Sequence, residues 1–339
     1  MENDNNPRFL SAKPPFYEVY FLKLHLLEEG LAFWMRYTFH LNRKGEPHAS
    51  LWAFALSAAD PLNCRGALQS YPADEVHFHP DPLSVRIGGA ELGDGKAKGR
   101  VQKKDFSLEW DLQFEMPSTR NAPALRPLRL FPSAWMYRGP FPKTKYLVPY
   151  PFALFSGRII YQGKEYQVKN AQGEQAHLWG SQHAERWAWA HCNTFAEDPT
   201  AIFEGLSAQT KAGPILLPHF SLFYIRIQGK DYFFNRPALW RKNKSGYDVE
   251  SWSFDLIDGS HRFIGHLQND PALMLGVRYT DPREGLRYCC HAEWAELELE
   301  HYQKKAERWQ HVITLHSRAA TYEKVDGQID PLVPVKVLG

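Results

Sequence analysis

The feature that most restricts this chain is a two-residue hydrophobic period. Residues 105–116, DFSLEWDLQFEM, set Phe106, Leu108, Trp110, Leu112 and Phe114 against Ser107, Glu109, Asp111, Gln113 and Glu115. Successive side chains of an extended strand point to opposite faces, so this pattern buries one face and wets the other. A looser form of the same period returns over residues 16–26, 31–41, 50–58, 75–88 and 155–169. Past the middle of the chain it returns over 201–210, 219–235, 247–258, 262–268, 273–281, 286–302 and 311–325. Gly, Pro, Asn or Asp, the residues of tight turns, bound these segments. No long stretch carries the period of an amphipathic helix, and only QKKAER (303–308) reads as a helical turn. The aromatic share of 14% agrees, because Tyr, Phe and Trp favour strands and also line apolar cavities. About 16–18 strands predict an all-β protein of barrels or sandwiches with few short helices.

A chain of 339 residues is long for one core and suits two. The expected division is an N-terminal β domain of residues 1–172 and a C-terminal β domain of residues 173–339. A mixed net charge of +2 gives no electrostatic footprint for nucleic acid. No apolar run approaches the ~18 residues of a membrane span, so no transmembrane segment is expected, while peripheral membrane contact stays open. The opening MENDNNPRF lacks the apolar core of a signal peptide. Cys64, Cys192, Cys289 and Cys290 form no CxxC, and the adjacent pair points to opposite strand faces; reduced thiols and a cytoplasmic setting are expected. Residues 117–150, rich in proline and aromatics, read as a long loop over the mouth of a pocket.

Candidate chemistry concentrates in residues 155–195 and just beyond. If extended, Trp187, Trp189, His191 and Asn193 share one face, with Ala188, Ala190, Cys192 and Thr194 on the other. They form either a pocket wall with two polar handles or an interface strand whose polar pair bonds backbone. His177 and Trp179 read as a proton-transferring imidazole beside an indole that steadies a cation by about 0.5–2 kcal/mol. Their rival reading is a backbone-bonded His with Trp as a core plug. Glu204, in the apolar run AIFEG, is either a buried general acid with a raised pKa or a solvent-facing acid opposite Phe203. Glu185 and Asp198 read as non-catalytic. His77-x-His79, and the group His177, His183 and His191, lack the partners that would complete a metal site. No P-loop, GxSxG or GxGxxG occurs, so neither metal nor cofactor is expected.

These residues also carry a resemblance. The run Phe155-Ser156-Gly157, Gly163, Tyr166-x-Val168, Gly173, His177-x-Trp179-Gly180 and Trp189-Ala-His191-Cys192-Asn193-x-Phe195 resembles the hinge of a lipocalin-like superfamily. That superfamily holds tocopherol cyclase, carotenoid 1,2-hydratase (hydroxyneurosporene synthase) and AttH-type proteins. Glu18-Val-Tyr-Phe and Trp34-Met-Arg36-Tyr are similar to its opening strands. The resemblance implies two calycin/lipocalin-like antiparallel β barrels or sandwiches packed side by side, with a site at their junction. It implies a cofactor-free, acid-catalysed hydratase, cyclase or isomerase acting on an isoprenoid-like or polyketide-like small molecule. An acid protonates a double bond, and water or an internal oxygen traps the cation. His177 and Trp179 match the H-x-W pair of the hydratases. Where those enzymes use Tyr-x-Asp on the next strand, this chain offers Phe203 and Glu204. On this reading His177 and Glu204 are catalytic, and Trp179, Trp187, Trp189, His191 and Asn193 bind substrate. The alternative is a non-catalytic binder or carrier of a hydrophobic small molecule, which needs a pocket but no perturbed acid.

Overall fold

The computed structural model describes residues 5–80, 83–117, 124–212, 215–239 and 243–339. Nearly every alternating segment is a strand, and the strands join into two large sheets. Phe16–Leu26, Leu31–Leu41, Pro47–Ser57 and Arg65–Tyr71 form an antiparallel meander at one side of the first sheet. Lys164–Gly180 pairs with Phe16–Leu26, so this half of the chain closes on its own start. Thr144–Tyr161, Phe106–Glu115 and Lys96–Lys103 then continue the sheet toward its far edge at Val76–Pro80. It curls into a nearly closed barrel around Tyr20, Phe33, Tyr37, Trp110 and Phe155.

The second sheet is a half-barrel. Arg186–Cys192 lies at its middle between Ile202–Gln209 and Arg308–Asp326, with Leu286–Lys305 beyond. Phe203, Phe223, Trp252, Phe254 and Tyr322 fill its concave side. The chain crosses from one sheet to the other between Gly180 and Arg186. The crossing comes later than residue 172 because Lys164–Gly180 runs on as one strand.

Two segments differ from expectation. The long loop ends at Thr144, where an 18-residue strand begins. Pro149 and Pro151 disguise that strand, since neither can donate to a ladder. The pairing with Lys164–Gly180 accommodates them by shifting register between Leu147, Tyr150 and Ala153. Residues 118–123 of the loop lie outside the described residues; the remainder carries a short helix, Trp135–Arg138. QKKAER is not helical. It closes the hairpin of Leu286–Lys305 and Arg308–Asp326, with Ala306 and Glu307 at φ 45° and 64°, the conformation of a tight two-residue turn.

Cys64, Cys192, Cys289 and Cys290 are all buried, and none is in a disulfide. Among the described residues no helix is long and apolar enough to cross a membrane.

Candidate functional site

Alternation is clean in Phe106–Glu115 because only one face is buried. It is loose in Phe16–Leu26 because both faces are, from Tyr17 to the end. One face of that strand fills the barrel, and the other meets the second sheet. The seam so formed has its own apolar cluster, in which Tyr17, Val19, Phe21 and Trp34 pack against Trp189, Ile202, Leu222 and Leu275. Backbone carbonyls of one sheet accept side-chain N–H groups of the other. Asn193 Nδ2 donates to Gly173 O at 2.8 Å, His191 Nε2 to Pro151 O at 2.9 Å and Trp294 Nε1 to Leu56 O at 3.0 Å. The proline-induced register shift exposes the Pro151 carbonyl that His191 uses.

At one end the seam opens into a cavity of about 130 Å³. Phe21, Trp34, Tyr146, Trp187 and Trp189 form much of its wall, and Phe131, Phe141 and Pro142 of the preceding loop reach it. The loop therefore lies where a pocket-covering segment was expected.

Behind the wall sit two buried carboxyls. The Tyr146 hydroxyl bridges them, 2.7 Å from Glu204 Oε1 and 3.1 Å from Glu174 Oε1. Trp189 Nε1 donates to Glu204 Oε1 at 2.6 Å. Burial pushes the Glu204 pKa up to about 8, against the opposing effect of its bonds to Tyr146 and Trp189 and of the Lys23 charge. Burial, then the nearby Glu204, raise Glu174 well above the carboxylate range. Like charges so close cannot both ionise in a dry site, so the pair retains a proton at neutral pH. His191 fits this arrangement. Burial and Lys23 hold its pKa well down, and with Nε2–H bound to Pro151 its Nδ1 is left as an acceptor, 3.3 Å from Glu174 Oε2. Neither of these two atoms has a hydrogen-bond partner among the described residues.

The polar interior continues along the seam. The Lys23 ammonium is buried with no hydrogen-bond partner among the described residues, and its charge acts on Glu174, Glu204 and His191. His25 Nε2 lies 3.2 Å from Glu293 Oε2. Glu293 in turn contacts His291 Nε2 at 2.9 Å and accepts from Thr321 at 2.6 Å. Burial alone would raise the Glu293 pKa, but the bonds from His25 and His291 hold it well below the usual range. Two groups, Glu174–His191–Glu204 and Cys289–His291–Glu323, bring metal-capable atoms within 4.8 Å of one another. Each already carries a charge balance, from Lys23 in the first and from the His291 cation in the second, whose pKa stands at about 9.

The sequence candidates fall into three places. Trp187 and Trp189 line the cavity, and Glu204 stands directly behind Trp189 and Tyr146. His191 and Asn193 share their strand face, as the alternation predicts, but lie deeper along the seam and tie the sheets together. His177 and Trp179 do not line this cavity. They project from the opposite face of Lys164–Gly180, where the barrel-facing His177 stacks on Tyr20 at 4.1 Å and bonds Glu18 Oε1 at 2.7 Å. Glu18 also accepts the backbone N–H groups of Arg8 and Phe9, so the N-terminal segment stops this end of the barrel. Burial lowers the His177 pKa despite Glu18, leaving a neutral imidazole in a fixed hydrogen bond. Tyr146, Glu174 and Lys23 escaped the sequence reading. One signal for them exists: in YFLKLHL the charged Lys23 and His25 interrupt an otherwise apolar run, which marks a strand buried on both faces.

The geometry can be set beside known proteins. A crystallised AttH-type protein of Nitrosomonas europaea superposes with a TM-score of 0.51 at 12% identity, covering 95% of this chain and 96% of that one. Kievitone hydratase of Nectria haematococca gives 0.53 at 9% identity, covering 91% and 88%, and CghA gives 0.51 at 9%, covering 93% and 89%. These likenesses concern the fold. In sequence, an uncharacterized protein of Mycobacterium tuberculosis is 25% identical over 237 residues, 68% of this chain and 67% of the relative. The model of the family described as tocopherol cyclase-like matches residues 145–325, more than half of the chain, from the strand that carries Tyr146 to the one that carries Glu323. This chain belongs to the tocopherol cyclase-like family.

Proposed function

We propose that the seam cavity is the active site of an acid-catalysed hydratase, cyclase or isomerase, acting on a hydrophobic small molecule of isoprenoid-like or polyketide-like type. The observation that carries this reading is the buried carboxyl pair joined through Tyr146 to an aromatic cavity. Family membership and the fold shared with a hydratase support it.

In this reading the proton held by Glu174 and Glu204 passes through the Tyr146 hydroxyl to a carbon or oxygen of the bound molecule. As Tyr146 releases its proton to the substrate, it takes one from the carboxyl pair, so no phenolate forms in the dry wall. The electron-rich faces of Trp187 and Trp189 steady the cation, a contribution of about 0.5–2 kcal/mol per ring. Water or a hydroxyl of the substrate then adds, and its surplus proton returns to the pair. Bonds and charge balance with no electron acceptor. His177, expected at the outset to donate, takes no part, since a barrel strand separates it from the cavity.

The test begins with extraction and mass spectrometry of small molecules retained by the purified protein. The protein is then incubated in D2O with those compounds and with a panel of prenylated phenols and linear isoprenoids. The unaltered protein is expected to place deuterium in the product, and Glu204→Gln to slow this by about 10²–10⁴-fold. An unchanged rate in the variant would overturn the reading.

A further inference from the structure

The cavity contains a cation that this chemistry leaves idle. Arg36 lies on the seam face of Leu31–Leu41 with Trp34, lines the cavity and is 8% exposed. Its guanidinium sits 4.5 Å from the Tyr279 ring centre, 5.6 Å from that of Trp52 and 5.9 Å from that of Trp34. Among the described residues it has no ion-pair partner and no hydrogen bond, and its Nε is buried without an acceptor. Ring faces offset part of its charge, but they leave unfilled the planar fork of N–H donors that matches a carboxylate.

The charges around Arg36 do not fill the gap. Glu323 also lines the cavity, but it accepts from His291 Nδ1 at 2.9 Å. Burial would push that imidazole down; its bonds to Glu293 and Glu323 outweigh burial and keep it cationic up to about pH 9. Lys211 at the rim pairs with Glu185 at 3.0 Å. Lys143 donates to the neutral Gln182 at 2.8 Å. Asp281 accepts the backbone N–H groups of His183 and Arg283, both at 2.7 Å. Burial drives His183 down to about 3, so it is neutral. Each of these groups has partners of its own, and among the described residues no carboxylate lies within ion-pair distance of the Arg36 guanidinium.

We propose that Arg36 binds a carboxylate, or an equally planar oxyanion, on the hydrophobic molecule that occupies this cavity. The proposal rests on the cavity's being the ligand site and specifies the ligand class. Phe16–Leu26 and Lys164–Gly180 separate the Arg36 strand from the Tyr146 strand. Three steps of about 4.8 Å put the two backbone positions about 14 Å apart along the sheet, and both side chains reach the one cavity. The ligand is therefore an amphiphile, with an anion that meets Arg36 and an apolar part that reaches Tyr146. A neutral molecule leaves the Arg36 donors without an anion.

The test uses all-trans-retinoic acid and all-trans-retinol, one apolar body with and without the carboxylate. Each is titrated at pH 7.5, with quenching of the cavity tryptophans as the readout. The acid is expected to bind at least tenfold more tightly than the alcohol. Arg36→Met should bring the two within about twofold by weakening the acid alone, and Arg36→Lys should retain part of the preference. Circular dichroism checks each variant, and Arg36→Gln replaces Arg36→Met if the latter does not fold. Equal affinities in the unaltered protein, binding of neither probe, or a preference that survives in Arg36→Met overturns the proposal. No turnover enters this measurement. An intact acid preference beside an unaffected rate in Glu204→Gln would retire the catalytic reading and keep the anion site; the opposite pair of results would do the reverse.

Discussion

Glu204→Gln gives the sharpest test of the buried acid, because it needs no substrate. The amide keeps an oxygen to accept from Tyr146 and Trp189, fills the same volume and cannot ionise. In the unaltered protein burial lifts the carboxyl from 4.5 to about 8. A folded-state pKa above the unfolded one means that the folded protein binds the extra proton between those values, so stability falls as pH rises through that window. The stabilisation of the protonated state is complete below about pH 4.5 and lost above about pH 8. At about 1.4 kcal/mol per unit, a rise of this size has a ceiling of roughly 5 kcal/mol. Glu174 shares the burial and competes for the same proton, so about 2–4 kcal/mol is expected. The assay is urea denaturation of both proteins from pH 5 to pH 9, fitted for midpoint and slope. His291, with its pKa raised to about 9, also loses stability as pH rises, but it does so in both proteins. The difference between the two profiles isolates residue 204. It should move in favour of the variant as pH rises. Parallel profiles would show that Glu204 is ionised in the folded protein, and the proton store would be gone.

Three further outcomes follow from the same geometry. Tyr146→Phe removes the hydroxyl between the carboxyls and the cavity, and should lower turnover by at least about 10²-fold while retinoic acid still quenches tryptophan fluorescence. Lys23→Met deletes a buried ammonium flanked by Glu174, Glu204 and Glu293, and should cost about 3–5 kcal/mol in urea denaturation at pH 8. The cost should shrink toward pH 5, where the Glu174–Glu204 pair is more fully protonated. His177→Ala opens a hole in the barrel and deprives Glu18 of one donor, so about 2–4 kcal/mol of stability should be lost. Ligand titration of that variant should match the unaltered protein, and a tenfold loss of affinity would place His177 back at the cavity.

The residues by themselves determined the period of the backbone, and with it an all-β chain in two sheets. Local sterics write that information wherever one strand face is wet, as in Phe106–Glu115. They also set the face shared by Trp187, Trp189, His191 and Asn193, because alternation along Arg186–Cys192 needs no knowledge of its neighbours. Tertiary structure alone decided which candidates meet. His177 and Glu174 lie on one strand three residues apart, and that odd spacing sends one into the barrel and the other into the seam. Glu204 reads equally well as exposed or buried until the barrel covers its face. Tyr146 sits in a proline-broken strand whose period is unreadable, and it gains a role only because folding brings Glu174 and Glu204 to one hydroxyl. A strand's own sequence specifies two faces, but the partner laid against each face is a long-range contact, and the chemistry here depends on that contact.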